Sequence, residues 1–230
     1  MKPELKGKTA LVTGAAGTMG RAVVAFLKED GLNVVGLDVK GDCRYCDISD
    51  AAAVKKAISE IGQVDVLVNN AGILSNNKAE ATTPDEWRKV LAANLDGAFY
   101  LAREVIPGMK ARRWGRIVNV CSMAAKTGGL TAGTAYATSK GALVSLTFSL
   151  ARELASFGVT VNGIAPAYVR TPMVTEQLNA DQRRQLLSQI PVGRFCEPEE
   201  FAHVVRFLVS PLAGFITGEI VDINGGLVMD

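Results

Sequence analysis

Tyr136 and Lys140 stand one helical turn apart in Tyr136-Ala137-Thr138-Ser139-Lys140, so a helix through them carries both side chains on one face. A phenol with a pKa of about 10 is a poor base at neutral pH, but an adjacent ammonium stabilises the phenolate and lowers that value. Such a pair can exchange a proton with an alcohol or carbonyl, and Ser122 can hydrogen-bond the same oxygen. Tyr-x-x-x-Lys pairs are common on ordinary helices, and this one gains weight from a second constellation. Thr13-Gly14-Ala15-Ala16-Gly17-Thr18-Met19-Gly20 joins a short apolar run to a helical pattern. Glycines there let backbone N–H groups approach a pyrophosphate, and the dipole of the following helix favours its charge. Asp38, followed by Val39, lies eighteen residues beyond Gly20, near the spacing expected of an acid that binds ribose hydroxyls. A carboxylate there repels a 2′-phosphate, and no arginine stands in the glycine turn to bind one. NAD is therefore favoured over NADP, with Lys40 the nearby ammonium that would soften the repulsion.

These groups need a scaffold that gathers the ends of several strands. Short β-branched runs predict strands at 8–13, 33–38, 44–48, 64–69, 115–122, 159–165 and 219–223. Between the first two, Val23, Phe26 and Leu27 fall at helical spacing, and Gly31 marks the stop. Ser49 is placed to cap a helix reaching Ile61, and Thr83 with Pro84 opens a long one continuing through Asn94 to Met109. A further helix is expected at 136–157, and short ones between 173 and 209. Near-continuous apolar strands alternating with helices predict an α/β doubly wound parallel sheet of about seven strands, with helices on both faces. No repeat, low-complexity tract or linker interrupts it, so 1–230 reads as a single Rossmann-like domain.

At 230 residues the chain can build a core without disulfides or metal. Hydrophobic residues at 48% and charged residues at 21% exclude disordered and fibrous classes. Lys plus Arg is 25 against 23 for Asp plus Glu, a formal charge of +2, so nucleic acid is not expected as a partner. No apolar run is long enough to span a membrane. The start, Met1 to Gly7, has no apolar export stretch, and four cysteines then imply free thiols in a reducing cytoplasm. Cys43 and Cys46 have redox or half-zinc spacing, but the lone His203 lies far away, and two small residues beside an adenine pocket is the better reading. Cys121 reads as a buried strand cysteine, and His203 as an ordinary helix residue. The basic run Arg112-Arg113-Trp114-Gly115-Arg116 reads as a solvated loop, with the alternative that it attracts an acidic carrier protein.

With those residues in place, the chain resembles the short-chain dehydrogenase/reductase family in its compact single-domain branch, over essentially its whole length. The resemblance implies that Tyr136 is the catalytic acid/base, that Ser122 orients the substrate oxygen, and that Lys140 binds the nicotinamide ribose and lowers the Tyr136 pKa. Asn94, in Asn94-Leu95-Asp96-Gly97, resembles the helix asparagine that holds a water in the proton relay to Lys140. Gly14, Ala16, Gly17, Thr18, Met19 and Gly20 would surround the pyrophosphate. Asp47, followed by Ile48, resembles the acid that meets the adenine amino group, and Asn70, Ala71 and Gly72 would pass along the adenosine ribose. Pro166, Val169 and Thr171 resemble the segment that contacts the nicotinamide amide. The chain departs from the family at Thr18 and Ala167, where glycine is usual, and in the fourteen positions from Ser122 to Tyr136, one more than in some relatives. None of these removes a catalytic group.

The tail further resembles 3-oxoacyl-[acyl-carrier-protein] reductases, in Pro191-Val192-Gly193-Arg194, Glu199-Glu200-Phe201-Ala202, Ile216-Thr217-Gly218-Glu219 and Asn224-Gly225-Gly226-Leu227-Val228-Met229. That resemblance implies NADPH and a basic residue in the glycine turn, where this chain has Ala16-Gly17 and then Asp38. The expected activity is therefore an NAD-linked dehydrogenase or reductase of a secondary alcohol or ketone, with the acyl-carrier reductase as the alternative. A catalytically silent nucleotide sensor on the same fold is disfavoured, because Asn94, Ser122, Tyr136 and Lys140 are all present. Epimerases of the extended branch need a second domain for which the chain has no room. The family implies a homotetramer, or else a homodimer, packed through the helices expected at 83–109 and 136–157. The substrate pocket is expected between 74–77, 123–134 and 173–189, with no basic cluster for an acidic substrate group. Polyols, hydroxy acids, cyclic alcohols and acyl thioesters all fit that description.

Overall fold

Apolar side chains on both faces of the central strands decide the architecture, because each face must then be covered by helices. The computed structural model describes residues 5–172 and 179–229. Its strands are β1 (Thr9–Thr13), β2 (Asn33–Asp38), β3 (Arg44–Tyr45), β4 (Val66–Asn69), β5 (Gly115–Val120), β6 (Val159–Pro166) and β7 (Ile220–Ile223). They form one parallel sheet in the order β3-β2-β1-β4-β5-β6-β7. Strand order reverses between β1 and β4, which opens a crevice beyond the carboxyl ends of the strands.

The helices are α1 (Thr18–Glu29), α2 (Ala51–Ile61), α3 (Pro84–Leu91), α4 (Gly97–Arg112), α5 (Ala124–Thr127), α6 (Thr134–Leu154), α7 (Ala180–Gln189) and α8 (Pro198–Val209). Leu11, Leu67, Ile117 and Val161 of the sheet pack with Val54, Leu101, Val105, Leu150 and Leu154 of α2, α4 and α6. On the other face Val12, Val68, Val118 and Ile164 pack with Val23 and Leu27 of α1 and Phe201, Val205 and Leu208 of α8. Each such aliphatic side chain, fully buried, stabilises the fold by about 1.5–3 kcal/mol.

Several boundaries differ from the sequence expectation, each for a local reason. Asp50, not Ser49, caps α2, its carboxylate accepting from the amides of Ala52 and Ala53. Ser49 is instead drawn into a turn by Asp47. The third strand shrinks to Arg44–Tyr45 at the sheet edge. The long helix expected from Thr83 to Met109 is broken by a π turn, Ala92–Asp96, which carries Asn94. Thr83 does cap α3, through the Glu86 amide. β5 ends at Val120, so Ser122 lies just beyond the strand rather than at its end.

The basic run 112–116 is solvated only in part: Arg112 and Arg113 are exposed residues, while Arg116 is not. Arg116 is buried, donates to the Gly115 carbonyl at 2.8 Å and stacks 4.7 Å from the Trp114 ring. Arg112 donates to the Val64 carbonyl and pairs with buried Asp65 at 3.3 Å, while Arg113 donates to Ser156 O. All three guanidinium groups serve the amino-terminal edge of the sheet, opposite the crevice. Asp50→Ala should lower unfolding stability by about 1 kcal/mol in a urea titration, and Ser49→Ala by clearly less. Equal losses would mean that the cap is misassigned.

Candidate active site

The turn between β1 and α1 is shaped by Gly14, whose φ is +64°, and a Cβ there would stand 2.9 Å from the Ala71 Cα. Gly17 is the N-cap of α1 and offers no side-chain oxygen to the first N–H groups of the helix. Those N–H groups of Thr18, Met19 and Gly20 lack intrahelical acceptors, so the helix end has the donors and dipole a pyrophosphate requires. Asp38 closes the turn from the neighbouring strand. One of its oxygens accepts from Ala16 N at 3.0 Å, and the other from Val39 N at 2.8 Å and Lys40 N at 3.3 Å.

The Asn70 side chain serves the scaffold, donating to the carbonyls of Thr13 at 2.9 Å and Gly14 at 3.2 Å. The amides of Asn70 and Ala71 both donate to the Thr13 hydroxyl at 3.0 Å. Thr13 was not among the expected site residues; its one signal is a hydroxyl ending an otherwise apolar run. At the far side of the crevice the exposed Asp47 holds Ser49 N at 2.9 Å, and Ile48 packs on the core under α2 and α4.

Ser122 is buried, and its hydroxyl accepts from Ala124 N at 3.1 Å. Tyr136 is the third residue of α6 and hydrogen-bonds the Ser122 side chain. One turn on, Lys140 is buried, donates to Val120 O at 2.7 Å and lies 5.8 Å from the centre of the Tyr136 ring. Asn94 is buried as well. Its amide oxygen accepts from Ile73 N at 2.8 Å, and its nitrogen donates to Ile73 O and to the Ser139 hydroxyl, both at 3.0 Å. Ser139 in turn donates to Tyr136 O at 2.7 Å, a bridge from Asn94 to the Tyr136 backbone that the spacing of the Tyr-x-x-x-Lys pair does not reveal. A side chain on Gly72 would reach Asn94 Oδ1 at 3.0 Å and Lys140 Nζ at 3.4 Å, so the two groups converge there.

The electrostatics differ from expectation. Burial pushes the Tyr136 phenol above its ordinary value, the Ser122 hydrogen bond lowers it, and nearby Cys121 raises it further. Burial also pulls the Lys140 ammonium down to about 8, with Cys121 opposing. The expected lowering of the phenol by the lysine does not figure among these influences: both charged forms lose hydration, and the ammonium donates to Val120 O.

On the remaining wall, Pro166 O accepts from Met123 N at 3.1 Å, Val169 bridges to Cys196, and Thr171 follows. Of the expected pocket wall at 173–189, residues 173–178 lie outside the described residues. Cys121 is held as a thiol by burial, its pKa up at about 11, which removes it as a nucleophile. Cys43 and Cys46 are free, with Cys46 raised first by burial and then by Asp47 and Asp50. Among the described residues no group of His, Cys, Asp and Glu could hold a metal ion, and no helix is long and apolar enough to cross a membrane.

Comparison with known proteins extends this picture. Residues 14–228 match a short-chain dehydrogenase/reductase model described as Enoyl-(Acyl carrier protein) reductase. The 3-oxoacyl-[acyl-carrier-protein] reductase FabG of Vibrio cholerae serotype O1 is 42% identical over 244 residues, covering 98% of this chain and 99% of the relative. The FabG of Thermotoga maritima is 36% identical over 246 residues, covering 98% and 99%. Among solved structures, the 3-oxoacyl-[acyl-carrier protein] reductase of Brucella melitensis superposes with a TM-score of 0.93 at 34% identity, covering 100% of this chain and 94% of that one. A protein of Beutenbergia cavernae, described as a candidate NAD(P)-dependent gluconate 5-dehydrogenase and holding NADP at low occupancy, superposes with a TM-score of 0.91 at 35% identity. That match covers 97% of this chain and 98% of the other.

The depressed Lys140 predicts a pH effect of definite sign. Between about 8 and the ordinary 10.5 the unfolded chain binds a proton that the folded chain does not, so folding gains stability as pH rises through that window. Measured against Lys140→Met, the native chain should gain relative stability on going from pH 8 to 10.5, and a flat difference would contradict a depressed ammonium.

Proposed function

The chain belongs to the short-chain dehydrogenase/reductase family and is an NAD(P)-dependent oxidoreductase, and we propose that Tyr136 exchanges the proton with the substrate oxygen. The observation that carries this reading is the convergence of Ser122, Tyr136 and Lys140 at the carboxyl ends of β5 and β6, across the crevice from the glycine turn. When bound, the nicotinamide supplies or accepts the hydride. The chain's own residues do the rest. Ser122 and Tyr136 hydrogen-bond the reacting oxygen, and the neutral phenol gives its proton as that oxygen gains charge. A raised phenol stays protonated at neutral pH, as a proton donor to a ketone oxygen must be. Lys140, fixed by Val120 O and close to Asn94 across Gly72, replenishes that proton and meets the ribose of the cofactor.

In this proposal the cofactor lies against Gly14, Ala16, Gly17, Thr18, Met19 and Gly20, with Asp38 and Val39 at the adenosine ribose and Asp47 and Ile48 at the adenine. Asn70, Ala71 and Gly72 line its path, and Pro166, Val169 and Thr171 face the nicotinamide amide. The Asp38 carboxylate, set beside the Ala16 amide, supports NAD, since it would stand against a 2′-phosphate. The NADP in the Beutenbergia protein belongs to that protein. Phe99 of α4 and Phe148 of α6 remain 43% and 49% exposed, which supports association of these helices between subunits in a homotetramer. Free thiols at all four cysteines support a cytoplasmic setting.

A second reading, reduction of a 3-oxoacyl thioester, is favoured by curated relatives that bear this name and match over nearly their full length. The arginines at 112–116 cannot steer an acidic carrier to the crevice, because they sit at the opposite edge of the sheet. A panel of polyols, cyclic alcohols and acetoacetyl thioesters, followed by nicotinamide absorbance, separates the two readings. Tyr136→Phe should abolish turnover and leave cofactor affinity within about twofold, and undiminished activity would place the proton donor elsewhere. NADH should bind more tightly than NADPH, with Asp38→Ala narrowing the gap; tighter NADPH binding by the native chain would overturn the Asp38 argument.

A further inference from the structure

Two walls of the crevice are joined by hydrogen bonds from residues that take no part in the proposed cofactor binding or proton transfer. The segment after β4 is anchored outward to α3, where the Glu86 carboxylate accepts from Ser75 Oγ and, at 2.8 Å, from Asn77 Nδ2. Thr82 Oγ1 donates to the carbonyls of Asn77 at 3.1 Å and Lys78 at 2.9 Å. Inward, the same segment holds the loop that leads into α6. Ser75 O accepts from Gly133 N at 2.7 Å, and Asn77 O from Thr134 N at 3.1 Å. The approach is close enough that a Cβ on Gly133 would meet Asn77 O at 2.3 Å. Although Lys78 is an exposed residue, its ammonium donates to Ala132 O at 2.7 Å and Gly129 O at 3.1 Å.

That loop has little to hold itself. Gly128 and Gly129 lie at φ of +73° and +83°, and Gly133, the N-cap of α6, supplies no side-chain cap. The first turn of α6 carries Tyr136, so its placement depends on groups from outside the helix. A charged donor on two carbonyls is a stronger tie than the neutral contacts around it.

We propose that Lys78 is a positioning residue of the proton-transfer site: its ammonium clamps the carbonyls of Gly129 and Ala132 and so fixes the start of α6, setting the Tyr136 phenol against Ser122. This rests on the acid/base role of Tyr136. Phenol placement at this level governs rate, and displacements of about an ångström cost on the order of tenfold to a hundredfold.

The test compares Lys78→Met, Lys78→Gln and Lys78→Arg with the native chain in ketone reduction. For Lys78→Met, kcat should fall about tenfold to a hundredfold while the dissociation constant of the cofactor holds within about twofold. Lys78→Arg should restore most of kcat, because a guanidinium can also donate to two carbonyls. The alkaline limb of kcat should move in Lys78→Met, because the burial that raises the phenol and the Ser122 hydrogen bond that lowers it both depend on where α6 starts, while Cys121 and Lys140, the other titratable groups facing it, stay in place. A merely structural loss would scale kcat without moving that limb. Native kcat and an unmoved limb in Lys78→Met would overturn the proposal, as would an Arg variant no better than Met. If Lys78→Met does not fold, Lys78→Gln decides, and native activity in it would sink the clamp. Should Tyr136→Phe stay active, the acid/base reading fails; should it be inactive while Lys78→Met is unimpaired, only the clamp fails.

Discussion

An ammonium buried without an acidic partner is the constraint around which this molecule is arranged. Lys140 sits inside the protein on a single carbonyl, that of Val120, and no ion pair among the described residues balances it. Burying a charge this way costs stability, and the cost appears as a lysine that loses its proton at about 8. A sequence selected for stability alone would place an apolar side chain there. The strain is tolerated where it serves chemistry, because a lysine at this poise one turn from a phenol can pass a proton near neutral pH.

The surrounding polar network explains how α6 is kept in place around that charge. Asn69 of β4 donates to Asn119 of β5 at 2.9 Å, Asn119 to Thr147 of α6 at 2.9 Å, and Thr147 to Leu143 O at 2.8 Å. All three side chains are buried, so the ladder ties the sheet to the helix two turns below Lys140. Asn94 and Ser139 make a second tie nearer the phenol, and the π turn is what brings Asn94 inward from an otherwise regular helix. Buried hydrogen bonds of this kind fix position more than they add net stability. The site is accordingly built on rigid elements, with the crevice left to the loops.

The features legible in the sequence were those with a strong local grammar. The glycine turn, the apolar strands and the i,i+4 spacing of Tyr136 and Lys140 each announce a backbone geometry, and a parallel sheet covered on both faces follows from the alternation of strands and helices. What escaped depends on tertiary distance. Thr13, Ser139 and Lys78 are ordinary residues until the fold places carbonyls and amides beside them. Within the basic run at 112–116 the burial of Arg116 is not legible, because sequence carries no sign of which end of a strand it will meet. The direction of the phenol's pKa is hidden for the same reason: spacing reveals a neighbouring charge but not the loss of hydration that raises the phenol. Ser49 and Asp50 are both competent caps, and only the turn around Asp47 decides between them.

The central claim is that the Tyr136 phenol, half-buried at the crevice, is a neutral proton donor at physiological pH. Ultraviolet difference titration of the native chain against Tyr136→Phe, without added nucleotide, isolates the ionisation of that one tyrosine. The account predicts a tyrosinate transition above the ordinary value of 10.0, and a transition clearly below it would contradict the account.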